Sequence, residues 1–130
     1  MARTIWGEAR GEGLKGMEAV GFVIMNRYKI SKIKGKFWWG NNISEICKKP
    51  YQFSCWNKKD VNYEKLINVT TDDKLFATAK RIASKLVRLN NNRDITNCAD
   101  HYHTVNTRPN WLNVDKVVAN IGNHIFYKLA

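Results

Sequence analysis

The segment from Met17 to Tyr28 contains seven consecutive apolar residues, AVGFVIM at positions 19–25. A helix on the surface of a domain has one apolar stripe and one polar face. A segment that is apolar all round is instead typical of a helix buried in the centre. We therefore predict a central helix here, with the other elements packed around it.

A first helix is predicted upstream of this segment. Apolar residues recur at helical spacing between Ala2 and Ala9, and glycines at positions 11, 13 and 16 then interrupt the pattern. Glycine disfavours the interior of a helix because it loses more backbone freedom than other residues on folding. We expect the first helix to end near Gly11.

Two further helices are predicted downstream. A short one begins after Asn42 and is closed by Pro50, and a loop follows over residues 51–62. The longer one follows Asp72 and Asp73, which are good residues for capping a helix N-terminus. Its apolar stripe is the most regular in the chain and consists of Leu75, Phe76, Ala79, Ile82, Ala83, Leu86 and Val87.

The C-terminal third has a different character, with β-branched and aromatic residues after Asn97. The pair Gly122-Asn123 lies between two such runs, a pattern that predicts a two-residue hairpin turn. Residues 99–105 predict a strand with His101 and His103 on one face and Tyr102 on the other. The expected fold class is α+β, mostly helical, as a single domain over residues 1–130 with a small antiparallel sheet at the C-terminal end.

The chain carries a large positive charge: 22 Lys and Arg against 11 Asp and Glu give a formal net charge of +11. Such a charge favours a polyanionic partner, either nucleic acid, a membrane face or the wall of a bacterium. No nucleic-acid-binding motif accompanies the basic residues, so we expect no nucleic acid partner. No apolar run approaches the roughly 18 residues of a membrane span, so we expect no stable membrane insertion, and we expect a monomer.

The cysteines and the N-terminus indicate whether the chain is made for an oxidising or a reducing compartment of the cell. Cys47, Cys55 and Cys98 are too few for a disulfide framework, and although Cys47 and Cys55 flank a loop that would let them pair, we expect reduced thiols. The N-terminus lacks the features of a secretory signal. We therefore expect the chain to carry no export address of its own.

Two carboxylates lie at the end of the first helix, Glu8 and Glu12. At about 100° per residue, Glu8 falls on the border of the apolar stripe that contains Ile5 and Trp6. Burial there would disfavour its charged form, the property that a general acid needs. From spacing alone, two ordinary helix-end carboxylates that face solvent are the favoured interpretation, because Glu is common in helices.

Several segments in a fixed order resemble the SleB/CwlJ-type cell wall hydrolases, a family that includes spore cortex-lytic enzymes and related phage lysins. They span nearly the whole chain and comprise residues 5–13 (IWGEARGEG) with Gly16 and residues 19–27, residues 51–57 (YQFSCWN), residues 101–104 (HYHT), Pro109 with Trp111, and residues 121–126 (IGNHIF). The resemblance implies a lysozyme-like fold that cleaves the glycan strands of peptidoglycan. It also implies that Glu8 is the catalytic acid.

The same segments contain the candidate substrate-binding residues. An aromatic and amide cluster can stack on a sugar face and bond its hydroxyl or acetamido groups, and Phe53 has the alternative of a purely structural role. Glu12 is given a supporting role beside Glu8. The predicted substrate-binding residues are Glu12, Gln52, Phe53, Ser54, Tyr102, His103 and Trp111.

Three kinds of enzyme are compatible with these residues: a muramidase, a lytic transglycosylase and a zinc-dependent wall amidase or peptidase. A muramidase needs two acids that flank the scissile bond. Glu8 and Glu12 share one helix face, so the second acid would be Asp100. A lytic transglycosylase needs Glu8 alone. The alternative is a zinc-dependent wall amidase or peptidase that uses His101, His103 and His124, but their spacing fits no familiar zinc motif. We therefore predict no metal and no other cofactor.

Overall fold

The computed structural model of the chain describes residues 1–35, 38–88 and 93–130. Its helices are α1 (Ala2–Ala9), α2 (Gly13–Lys34), α3 (Ile43–Lys48), α4 (Tyr63–Asn68) and α5 (Lys74–Arg88). Its strands are β1 (His101–Thr104), β2 (Val117–Ile121) and β3 (His124–Tyr127). The predicted fold class, mostly helical with a small antiparallel sheet at the C-terminal end, is confirmed.

The predicted central helix is confirmed and is longer than the apolar segment that marks it. Residues 19–24 are all buried, and the helix continues to Lys34, where Gly35 ends it in the left-handed conformation at φ 62°. On one side α1 and α5 pack against α2 and bury Ile5, Trp6 and Phe76. This packing fixes α1, whose C-terminal end contains Glu8.

Helix α5 begins as its capping residues predict. Asp73 Oδ1 accepts a hydrogen bond of 2.9 Å from the backbone N–H of Phe76. The apolar stripe is buried from Phe76 to Leu86, whereas its two outermost members, Leu75 and Val87, are about half exposed. They flank the contact with α1 and α2 without entering it.

The segment between α3 and α5 contains more structure than the predicted loop. Residues Ser54–Trp56 form a 3₁₀ turn, and α4 follows it. The sequence analysis did not predict α4, because only Leu66 of its six residues is buried and so short a helix shows no apolar periodicity.

The three strands form one antiparallel sheet in the order β1-β3-β2. The predicted hairpin is confirmed: β2 and β3 are joined by Gly122-Asn123, with Gly122 at φ 58°. Phe126 of β3 and Ala99 pack against Ala19 and Val23 of α2, so the sheet covers the side of α2 away from α5. Strand β1 is thereby placed beside the C-terminal end of α1.

No helix in the described ranges 1–35, 38–88 and 93–130 is long and apolar enough to cross a membrane.

Candidate active site

A groove of about 690 Å³ opens between the end of α1, the segment from Lys48 to Asn57 and strand β1. Its described lining contains one acidic residue, Glu8, and two lysines. Apart from Pro50, the remaining lining residues are polar or aromatic. The full set is Glu8, Lys48, Lys49, Pro50, Tyr51, Gln52, Phe53, Ser54, Trp56, Asn57, Tyr102, His103, Thr104 and Thr107.

Glu8 reaches this groove because α1 approaches the 3₁₀ turn very closely. A Cβ at Gly7 would lie 2.8 Å from Cys55 Cβ and 2.9 Å from Leu66 Cδ1, so only glycine fits. Because α1 lies so close to the turn, Glu8 Oε2 accepts a hydrogen bond of 3.1 Å from the backbone N–H of Cys55. Ser54 Oγ lies 3.5 Å from the same Oε2. The turn thus fixes one oxygen of the carboxyl group.

Tyr102 fixes the other oxygen. Its hydroxyl donates to Glu8 Oε1 at 2.5 Å, and its ring packs against the rings of Phe53, His124 and Phe126. Burial, together with the neighbouring charge of Glu8 and this hydrogen bond, raises the pKa of Tyr102 well above its ordinary value. The phenol therefore stays protonated and acts as a donor at any physiological pH. Each carboxyl oxygen has two lone pairs, and Oε1 accepts only this one hydrogen bond from the described residues, so it keeps a lone pair that can carry a proton.

Behind the groove lies a buried cation, Arg27 of α2. Its Nε donates to the carbonyl of Asp100 at 2.8 Å, and one terminal nitrogen donates to Gln52 Oε1 at 3.2 Å. The guanidinium lies over the rings of Trp39 and Phe53 at 5.3 and 5.2 Å. Burial lowers the pKa of Arg27 to about 10, so the group remains charged at neutral pH. The contact explains why Phe53 is buried although it lines the groove.

His103 reaches the groove from the same strand as Tyr102. Its Nδ1 lies 2.6 Å from the carbonyl of Thr104, which can only accept, and its Nε2 lies 2.6 Å from the hydroxyl of Tyr127. In the neutral ring Nδ1 is therefore the donor and Nε2 accepts from Tyr127. Strand alternation predicted that only one of Tyr102 and His103 would point into the groove, yet both line it.

Glu12 lies outside the described lining of the groove, and its supporting role beside Glu8 stays a prediction. Its Oε1 accepts from the backbone N–H of Asn123 at 2.9 Å and its Oε2 from Asn123 Nδ2 at 3.3 Å. Nδ1 of the buried His124 is 3.9 Å from the same Oε1 and has no hydrogen-bond partner among the described residues. Glu12 is occupied in holding the β2–β3 turn against α1.

Trp111 also lies outside the described lining, and its role as a sugar platform stays a prediction. Its ring packs against the rings of His101, His103 and Tyr127 at 4.9, 5.8 and 5.2 Å. The interplanar angles of these contacts are 60°, 69° and 82°, so each is an edge-to-face arrangement. Trp111 therefore supports His103 from behind.

Asp100, the candidate for a second catalytic acid, is fully buried and faces away from the groove. It accepts hydrogen bonds from the backbone N–H groups of Leu129 and Ala130 and from His101 Nδ1. Burial alone would raise the pKa of Asp100, but these hydrogen bonds hold it below its ordinary value. Its carboxylate ties β1 to the last residues of the chain.

The structure adds groove residues that sequence reasoning did not select. Tyr51 is fully exposed at the rim and has a left-handed backbone at φ 67°, which is uncommon for a bulky residue. Lys48 lies over the ring of Trp56 at 5.2 Å, so this lysine and the indole form one wall. Tyr51 follows Pro50 in a turn, a signal that could have drawn attention to it.

The three histidines of the zinc alternative have separate partners. His101 pairs with Asp100, His103 with Tyr127, and His124 lies beside Glu12. In the part of the chain that the structure describes, no three His, Cys, Asp or Glu side chains are grouped as metal ligands. The arrangement gives the zinc alternative no support.

The three cysteines, all described, are free thiols; Cys47 and Cys55 are buried and Cys98 is exposed. Burial, and next the charge of Glu8, raise the pKa of the Cys55 thiol well above its ordinary value. Cys55 thus serves the site through its backbone N–H, while its side chain remains an unreactive thiol.

Comparison with known proteins agrees with this geometry. A family model described as Cell Wall Hydrolase matches residues 11–127, a segment that begins just after Glu8. The structure is similar to the catalytic domain of the germination-specific lytic transglycosylase SleB from Bacillus anthracis, with a TM-score of 0.69 and 27% identity, over 98% of this chain and 90% of that chain. It is also similar to the catalytic domain of the Bacillus cereus SleB protein, with a TM-score of 0.68 and 25% identity, over 98% of this chain and 86% of that one. No curated protein matches the chain significantly.

Proposed function

This chain belongs to the cell wall hydrolase family, and from that premise we propose that it cleaves the glycan strands of bacterial peptidoglycan with Glu8 as general acid and base. In this proposal residues 1–130 form one catalytic domain. The observation that carries it is the placement of Glu8, a carboxyl group held by two donors on the floor of a groove of about 690 Å³. The similar SleB domain from Bacillus anthracis is described as a lytic transglycosylase.

The reaction that fits one carboxyl group is a transglycosylation within the substrate. Protonated Glu8 gives its proton to the leaving glycosidic oxygen as the bond from that oxygen to the anomeric carbon of muramic acid breaks. The resulting carboxylate then takes the proton of the 6-hydroxyl of the same muramic acid, and the 6-oxygen bonds to the anomeric carbon. Glu8 ends in its starting state, no water is consumed, and the intramolecular nucleophile has an entropic advantage.

The muramidase alternative would need a second carboxylate across the groove, about 5–9.5 Å from the first. The described lining contains no acid besides Glu8, and the predicted second acid, Asp100, is buried behind β1 and occupied by hydrogen bonds. These observations favour the transglycosylase over the muramidase.

The proposal extends to partners and place of action. Every group assigned a role lies within one chain, which supports action as a monomer, without membrane insertion. The net charge of +11 supports an approach to an anionic wall.

We infer that the protein reaches the wall as a phage endolysin. Lysis of host cells only when a holin is co-expressed would support this route, and lysis without a holin would contradict it.

The test of the proposal is the variant Glu8→Gln on purified peptidoglycan. The amide keeps the shape and an acceptor oxygen but cannot donate a carboxyl proton. General acid catalysis is worth about 10²–10⁴-fold, so we expect loss of lysis by that factor with an unchanged thermal midpoint. Glu64→Gln on the exposed side of α4 is the matched control and should remain fully active. More than a few per cent of residual activity in Glu8→Gln would assign the chemistry to another group.

Treatment with a chelator separates the proposal from the zinc alternative. We expect EDTA to leave lysis unchanged, because His101 and His103 are engaged with other partners and no three possible ligands are grouped among the described residues. Loss of lysis with EDTA and recovery with Zn²⁺ would establish the amidase or peptidase instead.

A further inference from the structure

One side chain of the groove has its hydrogen-bonding direction fixed from behind. Gln52 lines the groove, and its Oε1 accepts a hydrogen bond of 3.2 Å from Arg27. A guanidinium has donors only. If the amide were rotated by 180°, Gln52 Nε2 would face that guanidinium, donor against donor. The amide therefore has one stable orientation.

Arg27 is itself held so that it cannot turn away from Gln52. It is only 4% exposed, its Nε is bonded to the carbonyl of Asp100, and the rings of Trp39 and Phe53 lie against it. In the described part of the chain no carboxylate pairs with it. The amide oxygen of Gln52 is thus one of the two acceptors that compensate the buried charge of Arg27. Breaking the hydrogen bond between them would leave the guanidinium without half of this compensation.

The consequence is that Gln52 presents a donor to the groove. Its Nε2 makes no hydrogen bond to any described residue, whereas its Oε1 is already used. A sugar hydroxyl can donate or accept and would bond to either end of an amide. A carbonyl oxygen can only accept, so a fixed N–H group selects for it.

We propose that Gln52, oriented by Arg27, is a specificity-determining residue that donates to the acetamido carbonyl of an N-acetylated sugar. Arg27 is the positioning residue in this arrangement. The inference rests on the proposed function and goes beyond it, because it states that the enzyme prefers N-acetylated over de-N-acetylated glycan strands. A free amino group at the same position is a charged donor and would face the amide donor of Gln52.

The experiment measures kcat/KM for two substrates, glycan strands freed of stem peptides, either fully N-acetylated or chemically de-N-acetylated. Gln52→Glu keeps an acceptor for Arg27, so the variant should fold, but it offers the groove a carboxylate. We expect it to lose at least tenfold on N-acetylated strands and to lose less, or gain, on de-N-acetylated strands. The ratio of the two kcat/KM values should change by at least tenfold.

Two further variants separate the causes. Gln52→Leu removes both ends of the amide, and we expect a loss on N-acetylated strands without a gain on de-N-acetylated ones. Asn120→Asp makes the same amide-to-carboxylate change at an exposed position of β2, outside the groove, and should leave the ratio unchanged. Thermal midpoints of all variants identify any that do not fold.

The results distinguish this inference from the proposed function. If wild-type protein cleaves the strands in a Glu8-dependent manner but Gln52→Glu lowers kcat/KM equally on both, or on neither, the specificity inference is wrong and the proposed function stands. If wild-type protein cleaves neither kind of strand, both are wrong.

Discussion

The hydroxyl of Tyr102 donates to Glu8 Oε1 at 2.5 Å, although 94 positions separate the two residues in the chain. This bond joins the end of α1 to the first strand of the sheet. The opposite oxygen of the same carboxyl is held by the turn at Cys55. The proposed catalytic group is therefore oriented by two elements that lie far from α1 in the sequence.

Removal of the Tyr102 hydroxyl should impair catalysis more than stability. In Tyr102→Phe the ring can keep its contacts with His124 and Phe126. A hydrogen bond to a charged group is worth about 1.5–3 kcal/mol, so kcat/KM should fall about 10- to 100-fold. A turbidity assay with purified sacculi and a thermal melt measure the two effects. An unchanged kcat/KM would show that the carboxyl does not need this donor.

Acidification should destabilise the fold through His124. Burial lowers the pKa of His124 below its ordinary value of 6.5, against the opposing charges of Glu12 and Glu8. Below pH 6.5 His124 binds a proton in the unfolded chain but not in the folded one. The free energy of unfolding therefore decreases as the pH falls from 6.5 towards the pKa of His124 in the folded state. The thermal midpoint should fall in this range, and less steeply in His124→Asn. Parallel pH profiles for the two proteins would contradict this assignment.

Substitution of Asp100 should affect stability and leave the chemistry intact. Asp100→Asn weakens the hydrogen bonds from Leu129, Ala130 and His101, and breaking a buried charged network costs about 3–5 kcal/mol. Because its folded pKa is lowered, the stabilisation by Asp100 is present above pH 3.8 and is lost as the pH falls through the folded value. We expect a lower thermal midpoint and near-normal kcat per folded molecule. A folded variant with kcat reduced a hundredfold would make Asp100 a second catalytic carboxylate.

Salt should slow lysis, and the groove lysines should account for more of the effect than other lysines. Between about 0.01 M and about 0.15 M ionic strength the screening length falls from about 30 to about 8 Å. Lys48→Gln with Lys49→Gln removes two charges from the groove, while Lys58→Gln with Lys59→Gln removes two charges outside its described lining. Lysis rates over this range should depend less on salt in the first pair than in the second. Equal slopes would mean that only the total charge matters.

The sequence predicted the elements that have a clear local pattern, either of apolar residues or of turn residues. Residues 19–24 are buried all round as their composition indicates, and Gly122-Asn123 makes the hairpin turn that its residue types favour. It did not predict α4, which buries Leu66 alone. Helix α3 is equally short but has a capping Asn42, whereas α4 has no side-chain cap and leaves no pattern in the local sequence.

The site was predictable in part. Glu8 was selected from its place on the apolar stripe and from the family resemblance, and Gln52, Phe53 and Ser54 do lie around it. Their catalytic and binding roles remain predictions. The sequence did not indicate the partner of Glu12, because spacing on a helix gives the direction of a side chain but not what it contacts: the turn at Asn123, far away in sequence, occupies its carboxylate. The role of Arg27 was equally hidden, since nothing near it in the chain indicates contact with Gln52.

The products of digestion test the central claim most directly. Purified glycan strands are digested in water enriched in ¹⁸O, and the new ends are identified by mass spectrometry for wild-type protein and for Glu8→Gln. A single carboxyl group that uses the 6-hydroxyl of the substrate predicts 1,6-anhydromuramic acid ends without ¹⁸O, formed by the wild type and absent with the variant. Reducing muramic acid ends that carry ¹⁸O, or anhydro ends formed equally by Glu8→Gln, would contradict the account.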